Sequence, residues 1–109
     1  MGGQVQAYEI GALLEQRGQS GRLYLEFLRH PAMSLGVYSL KAGGVDLQQP
    51  HREDEVYYVL SGRGQIRVGD EERPVRTGSI IFVGKGVPHR FHTITEDMDI
   101  LVFFAPAEG

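Results

Sequence analysis

The stretch that decides the fold is Gly43-Gly44-Val45-Asp46-Leu47-Gln48-Gln49-Pro50-His51-Arg52-Glu53-Asp54-Glu55, running on through Val56-Tyr57-Tyr58-Val59-Leu60 to Gly62. In an extended chain alternate side chains share a face, so Gln49, His51, Glu53 and Glu55 project together. A second stretch, Gly78-Ser79-Ile80-Ile81-Phe82-Val83-Gly84-Lys85-Gly86-Val87-Pro88-His89, ends an apolar strand in a glycine turn and opens the next strand with a histidine. Two histidines and a carboxylate brought together inside a β barrel form a metal-ligand set, and without cysteine that set contains no sulfur.

Outward from these stretches the chain reads as short apolar runs punctuated by glycine. Leu23–Arg29, Ser34–Lys41, Val56–Ser61, Gln65–Val68, Ser79–Val83, His89–Ile94 and Asp99–Ala105 are the expected strands. Gly62-Arg63-Gly64 and Gly69-Asp70 read as tight turns, and Pro74 and Gly78 bracket another. Fifteen glycines in 109 residues are about twice the usual share, which favours many turns. Tyr8 to Gln16 alone has helical spacing, with Ile10, Leu13 and Leu14 on one side and Gly18 as a stop. Many strands without alternating helices predict an all-β antiparallel sandwich or barrel preceded by a short N-terminal helix. The length supports one domain, 1–109, with its motif core at 34–105 and an N-terminal extension at 1–22.

The two glycine-bounded stretches resemble the paired motifs of the cupin superfamily. The family's first motif is G-x5-H-x-H-x3,4-E-x6-G, and this chain reads Gly43-x5-Gln49-x-His51-x3-Glu55-x6-Gly62. The second is G-x5-P-x-G-x2-H-x3-N, matched by Gly78-x5-Gly84-x-Gly86-x2-His89-x3-Thr93. The 15 residues between them suit a small single-domain cupin. Gln49, Gly84 and Thr93 stand where the family has histidine, proline and asparagine. Placing His51 in the first histidine slot instead requires a glutamate at 57 or 58, where the chain has tyrosine.

The resemblance implies a double-stranded β-helix, or jelly-roll barrel, holding one divalent metal ion (zinc, manganese, iron or nickel) on Gln49, His51, Glu55 and His89. Two roles stay open for Gln49: ligation through its amide oxygen, or a hydrogen bond to a water on the metal. A barrel that has lost its metal, with a His–Glu hydrogen bond in its place, is the competing outcome. Tyr57 and Phe91 share parity with Glu55 and His89 and are expected to line the cavity. Glu55 and Tyr57 are the candidates for moving a proton. His92 is expected on the opposite face, His30 in a solvated turn, and Glu53 on a solvated rim.

The function so implied is a metal-dependent enzyme on a small oxygen-rich molecule, dioxygenase-like or isomerase-like. The alternative is non-catalytic binding or sensing of a sugar or organic acid. A formal charge of −3, from 11 basic and 14 acidic side chains, removes the main driving force for nucleic-acid binding. The longest apolar run, Ile100 to Pro106, is far shorter than a membrane helix, and no signal-peptide pattern is visible, so a cytoplasmic chain is expected. Val56–Leu60 and Ile100–Phe104 are apolar on both faces. A homodimer partner, or else the N-terminal segment, is needed to cover the second face.

Overall fold

The computed structural model describes residues 5–47 and 50–109. One helix, α1 (Ile10–Ser20), precedes strands β1 (Tyr24–His30), β2 (Met33–Leu40), β3 (Asp54–Val68), β4 (Glu71–Arg76), β5 (Ile80–Val83) and β6 (His89–Ala105). All pairings are antiparallel, in the order β1-β2-β6-β3-β4, with β5 pairing the first part of β3 along the edge that β4 pairs further on. The sheet curls into a β barrel of the jelly-roll type expected from the sequence. Its interior is filled by Tyr38, Leu40, Tyr57, Val59, Ile66, Val75, Val83, Phe91, Ile94, Met98, Ile100, Val102 and Phe104. Among the described residues no helix is long and apolar enough to cross a membrane.

Six strands form where seven runs are expected, for three physical reasons. Gly62-Arg63-Gly64 is not a turn: β3 continues through it for 15 residues, and its register against β6 slips at Val59/Ser61, Ser61/Arg63 and Arg63/Gln65. Such bulges bend a long strand around a barrel. Gly62 serves the close approach of two backbones there. A Cβ at this position would collide with the Asp97 carbonyl oxygen and lie 2.6 Å from Met98 Cα, and φ is 100°. His89–Ile94 and Asp99–Ala105 likewise fuse into the 17-residue β6. The added strand is β4, Glu-Glu-Arg-Pro-Val-Arg, which carries no apolar alternation because it is an edge strand with only Val75 buried. Pro74 is tolerated in it for the same reason, since an edge leaves one side of the backbone unpaired.

The helix begins and ends later than expected. Gly18 continues it, at a cost of only about 1 kcal/mol, and Gly21 closes it in the left-handed conformation with φ 73°. Leu13 is its buried residue, and it lies against β1 and β2 with Tyr8 edge-on to Phe27. Elsewhere the outer face stays apolar. Val56 sits between Phe82 and Phe103, and Tyr58 between Ile80 and Leu101. Ile80, Phe82 and Tyr58 keep 71%, 62% and 39% of their surface exposed.

The close approach at Gly62 makes a direct expectation. Gly62→Ala should lower unfolding free energy by roughly 2 kcal/mol or more, through a disfavoured φ and a backbone clash. Urea denaturation measures it, and a loss below half that value would contradict the packing described.

Candidate metal centre

Each of the three described members of the ligand set is positioned by a different device. Glu55 is the second residue of β3, paired with Val83 on one side and Phe104 on the other, and its side chain points into the barrel. His89 opens β6. His51 precedes β3, and its carbonyl accepts from Gly86 N–H of the Gly84–Pro88 loop (2.7 Å), while Asp54 Oδ1, three residues on, accepts from Lys85 N–H of the same loop (3.0 Å). Gly86 turns that loop with φ 74°, a conformation glycine adopts without strain. The loop therefore brings the two motifs together at one end of the barrel.

The side chains converge. One donor atom from each of His51, Glu55 and His89 lies within 4.8 Å of the others. Glu55 Oε1 is 3.2 Å from His89 Nε2 and 3.9 Å from His51 Nε2. Glu55 is 2% exposed and His89 8%. Neither Glu55 oxygen, nor His89 Nε2, makes an aligned hydrogen bond to any described residue. His89 Nδ1 is 2.9 Å from the Val87 carbonyl, which can only accept, so Nδ1 carries a proton and Nε2 is the nitrogen turned toward Glu55. Burial opposes charge on this imidazole, but the Glu55 carboxylate, the Val87 carbonyl and Asp46 outweigh it and hold the His89 pKa above its ordinary value.

A buried carboxylate with two unused oxygens is costly unless a cation or donors meet it. Two imidazole nitrogens and a carboxylate, arranged so, have the donor chemistry of a divalent transition-metal site. The residues present fit the group that the sequence implies. Gln49 lies outside the described residues.

Tyr57 and Phe91, expected to line a cavity, are packed in the core instead: both are buried, the Tyr57 ring centroid is 5.9 Å from that of His89, and Phe91 stacks edge-on to it at 4.9 Å. His92 is on the outside, 2.6 Å from Glu72, and His30 is exposed. Glu53 departs from expectation: it is 8% exposed, and its Oε2 accepts the Gly109 N–H at 3.1 Å.

Three features were not anticipated. The first is Asp46, 3% exposed between Val45 and Leu47, which are 64% and 80% exposed. It accepts from the Tyr38 hydroxyl (2.7 Å) and the Phe91 N–H (2.9 Å), tying the loop before the site to β2 and β6. The second is Glu108, whose Oε2 lies 3.1 Å from His51 Nδ1. Burial and the charges of Glu55, Glu53 and Glu26 push its pKa up, with His51 pulling the other way. The third is a cavity of about 170 Å³ beside His51, lined by Tyr24, Tyr38, Val102, Phe104 and Glu108. The Tyr24 hydroxyl is buried without a hydrogen-bond partner, and burial drives its pKa far up.

With barrel, loop clamp and inward His-Glu-His group established, comparison with known proteins places the chain. The cupin domain family model matches residues 36–104, and the chain belongs to that family. It is 46% identical over 105 residues to the uncharacterized protein SCO3923 of Streptomyces coelicolor, covering 96% of this chain and 100% of that one. Among solved structures, TT1209 of Thermus thermophilus is similar in fold, with TM-score 0.76, 24% identity, and coverage of 94% of this chain and 99% of that one. KdgF of a Halomonas species is similar with TM-score 0.69, 18% identity and 76% coverage of each chain.

The Asp46 links carry a stability expectation. Asp46→Ala leaves a buried hydroxyl and a buried N–H unpaired, and should cost about 2–4 kcal/mol. Chemical denaturation tests this, and a change under 1 kcal/mol would show that water or rearrangement replaces the carboxylate.

Proposed function

We propose that this cupin holds one divalent metal ion on His51, Glu55 and His89, with Gln49 as a further ligand or as a hydrogen-bond partner of a metal-bound water, and acts on a small oxygen-rich molecule. The observation that carries the reading is Glu55: both its oxygens are buried without an aligned hydrogen bond, with His89 Nε2 3.2 Å from one of them. An ion of the zinc, manganese, iron or nickel class supplies Lewis-acid polarisation of a substrate oxygen or, for iron and manganese, dioxygen chemistry.

The chain's own residues do the rest. Tyr24, Tyr38, Val102 and Phe104 wall the cavity next to His51, exclude water and limit the substrate to a small molecule. Tyr24 offers its unused hydroxyl as a donor to a substrate oxygen. Tyr57, beside His89, and Glu55 are the groups placed to hold or move a proton. The fold hosts many chemistries, so the reaction class rests on the site alone.

The reading is tested by metal analysis of protein purified without chelator, and by melting curves with added zinc, manganese, iron(II) or nickel. About one ion per chain is expected. An ion at one hundred times its Kd stabilises by about 2.7 kcal/mol, which raises the melting temperature by roughly 10 °C or more for a chain of this size. His89→Ala and Glu55→Ala should abolish the rise. No bound ion and no rise with any of the four would sink the metal reading. Bound ion and bound small acids or sugars without turnover would favour the sensing alternative over the enzyme.

We also propose that a second copy of the chain covers the face formed by Val56, Tyr58, Ile80, Phe82, Leu101 and Phe103. The helix lies against β1 and β2, and the described residues leave Ile80, Phe82 and Tyr58 exposed. A self-complementary apolar patch pairs isologously. Light scattering at micromolar concentration should give twice the chain mass, falling to one chain in Phe82→Asp. A wild-type monomer at that concentration would exclude the dimer.

A further inference from the structure

Each imidazole of the centre has its outer nitrogen held by a different kind of group. His89 Nδ1 is held by the Val87 carbonyl two residues away. His51 Nδ1 faces a carboxylate, Glu108 Oε2 at 3.1 Å, supplied by the segment that follows β6. That segment is docked at four points. Ala107 N–H approaches the Pro31 carbonyl (3.4 Å), Glu108 N–H donates to the fully buried Ser34 hydroxyl (2.9 Å), Arg29 Nη2 donates to the Glu108 carbonyl (2.6 Å), and Gly109 N–H donates to Glu53 (3.1 Å). The Phe104 ring sits edge-on to His51 at 4.9 Å and limits where the imidazole can turn.

We propose that Glu108 is a positioning residue for the metal centre. Its carboxylate accepts the Nδ1 proton of His51, so that the Nε2 lone pair is fixed toward Glu55 and His89. The inference rests on the metal reading above and adds what that reading lacks, the device that orients a ligand lying outside the regular strands. A carboxylate behind a ligating imidazole fixes tautomer and ring orientation and raises the ligand's basicity. His51 needs this more than His89, whose strand position and neighbouring carbonyl already set its ring. Partial burial of both side chains, 17% and 28% exposed, keeps the interaction from being screened away.

The test is cobalt(II) binding to metal-free protein, measured by competition with a chromophoric chelator and by the visible absorption of the bound cobalt. Glu108→Ala and Glu108→Met, the second filling similar volume without an acceptor, should bind cobalt about 10–100-fold more weakly than wild type. Their cobalt spectra should shift. Glu108→Gln keeps an oxygen acceptor and should recover most of the affinity and the wild-type spectrum. Metal-free melting temperatures check that the loss is not one of folding. Wild type and both acceptor-free variants binding alike, with one spectrum, overturns the role of Glu108 alone. A wild type that binds no cobalt overturns the metal reading and this inference with it.

Discussion

The structure is organised around a carboxylate out of water. Glu55 stands in the second position of a strand whose inward neighbours are Tyr57 and Val59, and its oxygens have no hydrogen-bond donor among the described residues. Taking a carboxylate to such a place costs several kcal/mol in a real protein interior. A fold selected only for stability replaces it with an apolar side chain. Its presence sets the terms for what lies near it: His89 Nε2 turned inward with Nδ1 on the Val87 carbonyl, and the second imidazole over the same point.

The barrel makes that placement rigid by using two very long strands. β3 and β6 run side by side for most of their length, and the slips in their register around Gly62 let them curve without breaking. Glu55 at one end of β3 and His89 at the beginning of β6 are thus parts of one continuous ladder rather than of two loops, and sites built on strands hold geometry better than sites on loops. His51 lacks that support. Its segment is fastened instead by the Gly86 and Lys85 amides, and the same loop is tied at its other end by Asp46.

How much of this was legible in the sequence follows from the range of the signals. His51, Glu55 and His89 converge as the resemblance to the paired cupin motifs implies, whereas parity alone puts Glu53 on the same face and does not separate it from them. The turn at Gly62 was misassigned because a glycine marks either a reversal or a close backbone approach, and only the partner strand distinguishes them. β4 was missed because an edge strand that buries one side chain has no alternation to detect. Asp46 runs against hydrophobic parity: Val45 and Leu47 are exposed and the aspartate is buried, an inversion that alternation assigns to the wrong face. Glu53 is expected on a solvated rim because its hydrogen-bond donor, the Gly109 amide, is remote in the chain.

The same distinction of range separates the two histidines. The group behind His89 is a backbone carbonyl two residues away, present whatever side chain stands at 87, so no sequence signal is required for it and none exists. The group behind His51 is a side chain that must arrive from beyond the end of β6, and it arrives only because Ser34, Arg29, Pro31 and Glu53 receive its flanking backbone. Those contacts spread over β1, β2 and the segment before β3. Ser34 is fully buried on a strand whose neighbours face a hydrocarbon core, and an uncompensated hydroxyl there is unfavourable. Its hydrogen bond to the Glu108 amide removes that penalty and places the carboxylate at the same time. A buried serine in an apolar strand is therefore the trace that this long-range device leaves in the sequence, and it is recognisable only once the segment it receives has been seen in place.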